Sequence, residues 1–202
     1  MSPRHYKSDR RKAAVEETRR KIVQSTVDLH AAHGVVATSY AMIAKDADVA
    51  VPTVYNHFPT RSDLLAACTG QAAAAAPPLG PEIYDQLKNI DVRLHALAQA
   101  LSAYYQYYAP WMRWAVSEVQ QVPEMAALVD AGAGACKQLV EMALEPAFGA
   151  VPPPELVALC EILVSFPAWQ RLSAEPSDCE AALSDALITL THSHLSQDKR
   201  TP

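Results

Sequence analysis

The sequence predicts an all-α protein in which a three-helix N-terminal unit is followed by a larger helical bundle. Apolar residues recur at helical spacing, and the segments of the second half open at or beside a proline, which suits the first turn of a helix. No segment shows the alternating pattern of a strand. An apolar content of 50% in 202 residues is enough to fill a packed core.

The net charge of -5 is unevenly distributed along the chain. From Met1 to Leu65 there are ten Lys and Arg against seven Asp and Glu, and eight of the basic residues fall within the first twenty-one positions. The remainder has seven basic against fifteen acidic residues. The two parts are therefore expected to face different partners.

Several classes of function lack their sequence signals. No apolar run suits a membrane span or a secretory signal, so we expect a cytoplasmic protein without membrane contact. The four cysteines have no CxxC or zinc spacing and are expected to be reduced thiols. His192 and His194 are two apart and share no helix face, and Gly132 and Gly134 lack the third glycine of a dinucleotide loop. We expect no catalytic residues, metal or cofactor.

The first three helices follow from local signals. Ile22 and Leu29 predict a helix from about Val15 to His33, which Gly34 ends. A short second helix begins after Thr38 or Ser39, since either hydroxyl can cap it.

The turn at Asp46 to Val49 follows the second helix, and Asp48 can adopt its left-handed conformation. Pro52 then lies in the first turn of the third helix, where its missing N–H breaks no bond.

This arrangement is typical of a helix-turn-helix, whose second helix lies in the DNA major groove. Val54 and Phe58 are predicted to face inward, leaving the other positions of the third helix to a partner. Thr53 and Asn56 can bond phosphates or base edges, while Tyr55 and His57 suit phosphates and Val51 and Pro52 can contact thymine methyl groups. The predicted DNA-binding residues are Thr38, Ser39, Val51, Pro52, Thr53, Tyr55, Asn56, His57 and Arg61.

The segment from Thr18 to Leu65 resembles the TetR family of bacterial one-component repressors. The resemblance is strongest in VPTVYNHFPTRSDLL, where the family shows a Tyr, a His-Phe pair and a basic residue ahead of Leu-Leu. Here these residues are Tyr55, His57, Phe58, Arg61, Leu64 and Leu65. Three positions depart from the family pattern: Asp48 replaces a common glycine, Ala50 a hydroxyl cap, and His30 a large apolar residue.

Thr60 and Asp63 form a predicted capping box at the start of the fourth helix. If the family's geometry holds, Arg61 and the positive end of this helix point at a phosphate. The alternative is an exposed arginine that contacts nothing.

The predicted domains are a basic arm at 1–14, a helix-turn-helix DNA-binding domain at 15–65 and a ligand-binding and dimerisation domain at 66–202. In the last of these, helices are predicted at Pro81 to Ala109, Pro110 to Gln121, Pro123 to Leu144, Pro154 to Leu172 and Pro176 to Leu195.

Aromatic residues are concentrated in the stretch YYQYYAPWMRW. Core packing is one reading, and a pocket for an apolar or aromatic small molecule is the other, because Tyr and Trp combine apolar rings with hydrogen-bonding tips. The resemblance implies an inducer site in this bundle. The predicted ligand-binding residues are Tyr104, Tyr105, Tyr108, Trp111 and Trp114.

The last two predicted helices are apolar on more than one side. As in the TetR family, they are expected to form a four-helix dimer interface, with intrachain core as the alternative for about half of the side chains. The predicted interface residues are Leu156, Leu159, Leu163, Phe166, Ala181, Leu183 and Leu187.

We therefore expect a homodimeric repressor that binds a two-fold-related double-stranded DNA operator and is released by a small, largely apolar effector. The alternative is a helical ligand-binding or interaction protein in which the helix-turn-helix is only structural.

Overall fold

The computed structural model describes residues 3–149, 151–175 and 178–198, which contain helices and no β-strand. The predicted all-α class is confirmed. The helices are α1 (Pro3–His33), α2 (Tyr40–Asp46), α3 (Val51–His57), α4 (Arg61–Ala74), α5 (Ile90–Glu118), α6 (Pro123–Phe148), α7 (Pro154–Leu163), α8 (Phe166–Ser173) and α9 (Cys179–Asp198), with a 3₁₀ turn at Pro81–Tyr84. Pro176, the predicted start of the last helix, and the first two residues of the predicted arm lie outside the described residues.

The chain divides into two compact units. The first contains the chain up to Ala76 together with Pro110–Ala126, and the second contains Pro77–Ala109 and the chain from Ala127 onward. Helix α5 is continuous through this division, so its last turns belong to the first unit.

The core of the first unit confirms the predicted inward positions. Ile22, Ile43, Val54 and Phe58 are all buried, and Leu29 packs against them. Full burial of each such side chain stabilises the fold by roughly 2 kcal/mol. This core fixes α3 against α1 and α2.

Helix α1 begins earlier than the sequence predicts. The expected start was about Val15, whereas the helix starts at Pro3. Residues 9–17 are exposed, so no apolar periodicity marks them as helical. They are mainly Ala, Glu, Arg and Lys, which favour a helix through propensity alone.

Predicted helix boundaries in the second half are wrong at three places. The helix predicted to begin at Pro81 begins at Ile90, after the 3₁₀ turn at Pro81–Tyr84. Pro110 lies inside α5, which continues to Glu118 instead of restarting. The predicted helix from Pro154 to Leu172 is two helices, because Ser165 takes an extended conformation and caps α8 by accepting a hydrogen bond from the Ala168 amide.

Candidate functional site

The α2–turn–α3 segment has the geometry predicted from its residues. Ser39 has extended backbone and accepts a hydrogen bond from the Met42 amide at 3.2 Å, so Ser39 caps α2. Asp48 has a φ of +54°, the left-handed conformation required in the turn. Ala50 begins α3 without a side-chain cap, and Pro52 lies in its first turn.

Helix α3 presents a polar outer face. Tyr55 is 53% exposed and Val51 is 37% exposed. Pro52 and Asn56 are also exposed, whereas Thr53 and His57 are half-buried. Since Val54 and Phe58 hold the inner face in the core, these six residues lie on or beside the accessible side of the helix.

A polar concavity of about 350 Å³ adjoins this face. It is lined by Thr38, Ser39, Tyr40, Tyr55, Pro59 and Arg61. Hydroxyl groups and a guanidinium are donors that suit a phosphate oxygen. The concavity brings together four of the sequence-predicted DNA-binding residues, Thr38, Ser39, Tyr55 and Arg61.

The start of α4 supplies the cationic side of this concavity. The predicted capping box is confirmed, because Thr60 Oγ1 accepts a hydrogen bond from the Asp63 amide at 3.1 Å and the Thr60 amide donates to Asp63 Oδ2 at 3.2 Å. Arg61 follows as the first residue of α4 and is exposed. The unpaired amides of this first turn add to its positive potential.

Thr38 differs from the other predicted DNA-binding residues. It is buried, and its hydroxyl donates to the Gly34 carbonyl oxygen at 2.6 Å. This hydrogen bond stabilises the connector between α1 and α2, which we define as residues 34–39. Thr38 therefore orders the connector, and the capping role falls to Ser39.

Tyr40 is a residue of this site that the sequence reasoning missed. Its hydroxyl donates to the Phe58 carbonyl oxygen at 3.1 Å, and its ring centroid lies 4.5 Å from that of Tyr55. Burial raises the pKa of the Tyr40 hydroxyl. The one available signal was an aromatic residue directly after a helix cap.

The sequence also did not predict the contact of Arg19 with α3, in which its guanidinium carbon lies 4.8 Å from the centre of the Phe58 ring.

The predicted ligand-binding aromatics have divergent surroundings. The indole N–H of Trp111 donates to the Val27 carbonyl at 3.0 Å, and that of Trp114 donates to the Ala31 carbonyl at 3.1 Å. Both tryptophans therefore attach the end of α5 to α1.

Among the tyrosines, Tyr105 is buried and its hydroxyl donates to the Val164 carbonyl at 2.7 Å. Tyr105 is therefore part of the core of the second unit. Tyr104 and Tyr108 are half-buried, with ring centroids 4.5 Å apart. Burial raises the pKa of the Tyr108 hydroxyl to about 12.

The predicted dimer-interface residues separate into two groups. Leu156, Phe166, Leu183 and Leu187 are buried within the chain, which agrees with the alternative of intrachain core for about half of the set. Leu159 and Ala181 are exposed, and Leu163 is half-buried.

Leu159 and Leu163 belong to an open, apolar groove of about 640 Å³ between α7 and α9. The sequence reasoning missed Ile162, which lies in this groove and is 64% exposed. The full lining is Leu159, Ile162, Leu163, Asp185, Ala186, Thr189, Leu190 and Ser193.

Residues 22–68 match the family model described as bacterial regulatory proteins, tetR family. This helix-turn-helix segment therefore carries the N-terminal signature of the TetR family. The matched segment runs from the second half of α1 to the middle of α4 and so contains all residues of the polar concavity. The TetR resemblance inferred from the sequence is confirmed for this segment.

Solved structures with the same fold cover most of the chain. A candidate transcriptional regulator from Streptomyces coelicolor A3(2) is 22% identical, with a TM-score of 0.60 over 87% of this chain and 98% of that one. The multidrug binding protein EbrR, complexed with imidazole, is 20% identical, with a TM-score of 0.57 over 85% and 88%. A TetR transcription regulator from Haloarcula marismortui ATCC 43049 is 14% identical, with a TM-score of 0.60 over 88% and 98%.

No curated protein matches the chain. In the described part of the chain, no helix has the length and apolar character needed to cross a bilayer.

Proposed function

We propose that this protein is a TetR-type transcriptional regulator, a cytoplasmic repressor that binds a two-fold-related DNA operator as a homodimer and is released by a small, largely apolar ligand. The observation that carries the proposal is the polar concavity beside the exposed face of α3, which combines hydroxyl groups with the Arg61 guanidinium. This combination suits a DNA phosphate at the edge of the major groove.

The proposed contacts to DNA fall into two groups, those to phosphates and those to bases. Ser39, Tyr55 and Arg61 can donate to phosphate oxygens from the concavity, and His57 can do so from the end of α3. Val51 and Pro52, at the exposed start of α3, suit thymine methyl groups, while Thr53 and Asn56 can bond phosphates or base edges. Phosphate contacts then supply affinity and the start of α3 supplies base preference.

The homodimer is supported by the α7–α9 groove. Leu159, Ile162 and Leu163 on α7, together with Leu190 on α9, leave apolar surface open to solvent along both helices. A second copy would cover this surface with its own α7 and α9, giving a self-complementary two-fold interface.

The effector proposal rests on Tyr104 and Tyr108, whose half-buried rings offer apolar faces and hydroxyl donors. Helix α5 carries both tyrosines as well as the residues that attach its end to α1. The likeness to the multidrug binding protein EbrR agrees with a small-molecule site in this fold.

The primary test is a mobility-shift titration with DNA taken from upstream of the protein's own gene, at several salt concentrations. We expect a site with half-sites roughly 34 Å apart or a multiple of this. The affinity should fall steeply as salt rises, because Lys and Arg contacts release counterions. An unrelated fragment of equal length is the control. Equal, salt-insensitive binding to both fragments would instead support the reading in which the helix-turn-helix is only structural.

Release by a ligand is tested by titrating the apolar fluorescent probe anilinonaphthalene sulfonate into the free protein and into the protein–DNA complex. A coupling of about 1 to 3 kcal/mol is typical, and DNA must weaken the probe by the same factor by which the probe weakens DNA. A Tyr104→Ala variant is the control for the location of the site. Equal probe affinity with and without DNA would argue against a switch.

A further inference from the structure

Glu118, the last residue of α5, is a buried carboxylate bonded to backbone far away in the sequence. Its side chain is only 6% exposed. One oxygen accepts a hydrogen bond from the Val35 amide at 2.8 Å, and the other accepts one from the Val36 amide at 3.1 Å. Hydrogen bonds from amides to a carboxylate are stronger than those between neutral groups. The carboxylate therefore fixes two consecutive residues of the connector between α1 and α2.

The connector joins this carboxylate to the candidate phosphate site over a few residues. Thr38 joins the two ends of the connector, because its hydroxyl donates a hydrogen bond to the Gly34 carbonyl. Ser39 comes next and both caps α2 and lines the polar concavity. A displacement of Val35 and Val36 would therefore move Ser39, which ends the connector.

The contact requires a glycine at position 34. Gly34 has a φ of +82°, and a Cβ atom there would lie 2.2 Å from Oε1 of Glu118. Gly34 thus provides both the left-handed backbone that ends α1 and the space into which the carboxylate fits.

Three other side chains near the end of α5 donate hydrogen bonds to α1. Trp111 donates to the Val27 carbonyl, while Arg113 and Trp114 both donate to the Ala31 carbonyl. Of these four residues of α5, Glu118 is the one that reaches the segment leading to Ser39.

We propose that Glu118 is a positioning residue for DNA binding: by holding the Val35 and Val36 amides, it sets the place of Ser39 against a phosphate without touching the DNA. The proposal rests on the proposed DNA-binding function. A purely structural role for Glu118 would leave the DNA affinity unaffected.

Because Glu118 is negatively charged, its replacement by glutamine has two possible effects on DNA affinity, and they act in opposite directions. Replacing the carboxylate by an amide makes the protein less negative, which by electrostatics alone strengthens binding to a polyanion. Loss of the connector's position weakens binding. The Glu118→Gln variant therefore separates the two effects by direction, and Glu16→Gln, at an exposed position of α1, is the matched control for charge.

The experiment measures hydrogen exchange of the Val35 and Val36 amides and the dissociation constant for operator DNA over a range of salt. In the wild type, both amides should exchange slowly. In Glu118→Gln they should exchange faster, and DNA binding should weaken roughly tenfold, the scale of one charge-assisted hydrogen bond. The dependence on salt should not change, because no phosphate contact is removed. Glu16→Gln should bind as tightly as the wild type or more tightly.

Two results would overturn the proposal: Glu118→Gln binding DNA at least as tightly as the wild type, or fast exchange of the Val35 and Val36 amides in the wild type. If Glu118→Gln does not fold, Glu118→Asp, which keeps the charge and withdraws the carboxylate by one methylene, takes its place with the same expectations. Failure of the wild type to bind any DNA would refute the proposed function itself, whereas the wild-type exchange rates test the connector contact independently.

Discussion

The ring of Tyr40 lies against the ring of Tyr55, with centroids 4.5 Å apart, yet the two hydroxyls have different surroundings. That of Tyr40 donates to the Phe58 carbonyl and ties the start of α2 to the end of α3. Tyr55 is 53% exposed beside the concavity. The pair therefore allows a comparison between a tyrosine that orders the site and one that is available to DNA.

Tyr55→Phe should weaken DNA binding by about fivefold for all sequences alike, because one hydrogen bond to a phosphate is lost. Tyr40→Phe is the matched control and should instead lower the free energy of unfolding by about 1 kcal/mol. Dissociation constants for operator and unrelated DNA, together with urea unfolding, distinguish the two. A change in sequence preference in Tyr55→Phe would show that its role has been misassigned.

Val51→Ser should change which base pair is preferred at one position of each half-site, because its methyl groups suit a thymine methyl. A base-pair mismatch in a specific site typically costs about 1 to 3 kcal/mol. Selection from DNA randomised at the half-site measures the preference. Val15→Ser, at a similarly exposed valine on α1, is expected to select the same sequence as the wild type.

Glu124→Gln should strengthen DNA binding a few-fold. The Ser62 hydroxyl donates to the Glu124 carboxylate and lowers the pKa of that carboxyl group, and the Arg61 charge acts in the same direction. This negative charge beside the start of α4 opposes a phosphate at Arg61. The gain should shrink at high salt. Asp130→Asn, an exposed neutralisation on the same helix, is the control, and an equal gain in both variants would indicate a general charge effect.

His30 should make the protein less stable in mild acid. Burial lowers its pKa from 6.5 to about 4, with a smaller contribution from the Arg61 charge. Below about pH 6.5 this histidine is protonated in the unfolded chain, whereas in the folded protein it stays neutral until the pH approaches 4. The stability present at neutral pH is therefore lost as the pH falls toward 4.

The expected loss from this group between about pH 7 and pH 5 is on the order of 2 kcal/mol. Urea unfolding at the two pH values measures it. His30→Leu should reduce the loss, whereas His33→Gln, at an exposed position, should keep it. An identical loss in His30→Leu would assign the acid sensitivity to other groups.

Ile162→Glu should convert the dimer to a monomer without unfolding it, because the residue is 64% exposed in the α7–α9 groove. A charge buried in a dimer interface would be left unpaired. Sedimentation measures the association state, and circular dichroism the fold. Val151→Glu, at an 83% exposed valine outside the groove lining, should remain dimeric. If Ile162→Glu also stays dimeric, the interface lies on another surface.

The features that the sequence predicted well have local causes. The cap at Thr60, the left-handed conformation at Asp48 and the proline at the start of α3 each depend on neighbouring residues alone. The inward positions Val54 and Phe58 follow from helical periodicity. For the same reason, the accessible side of α3 could be predicted before any contact was known.

The features that the sequence did not reveal depend on contacts between distant segments. An apolar stripe does not say whether its partner is the same chain, so Leu183 and Leu187 were indistinguishable from an interface. The hydrogen bonds of Trp111 and Trp114 to α1 could not be predicted, because their carbonyl partners have no sequence signature. Glu118 likewise looked like any polar residue at the end of a helix.

The contact between Gly34 and Glu118 also has a consequence for how the two positions can evolve. Any larger residue at 34 would displace the carboxylate, and a shorter side chain at 118 would withdraw the acceptor from the Val35 and Val36 amides. Either change alone breaks this contact. Relatives that keep this connector should therefore show glycine and glutamate as a co-varying pair, and a relative that has lost one should have lost the other.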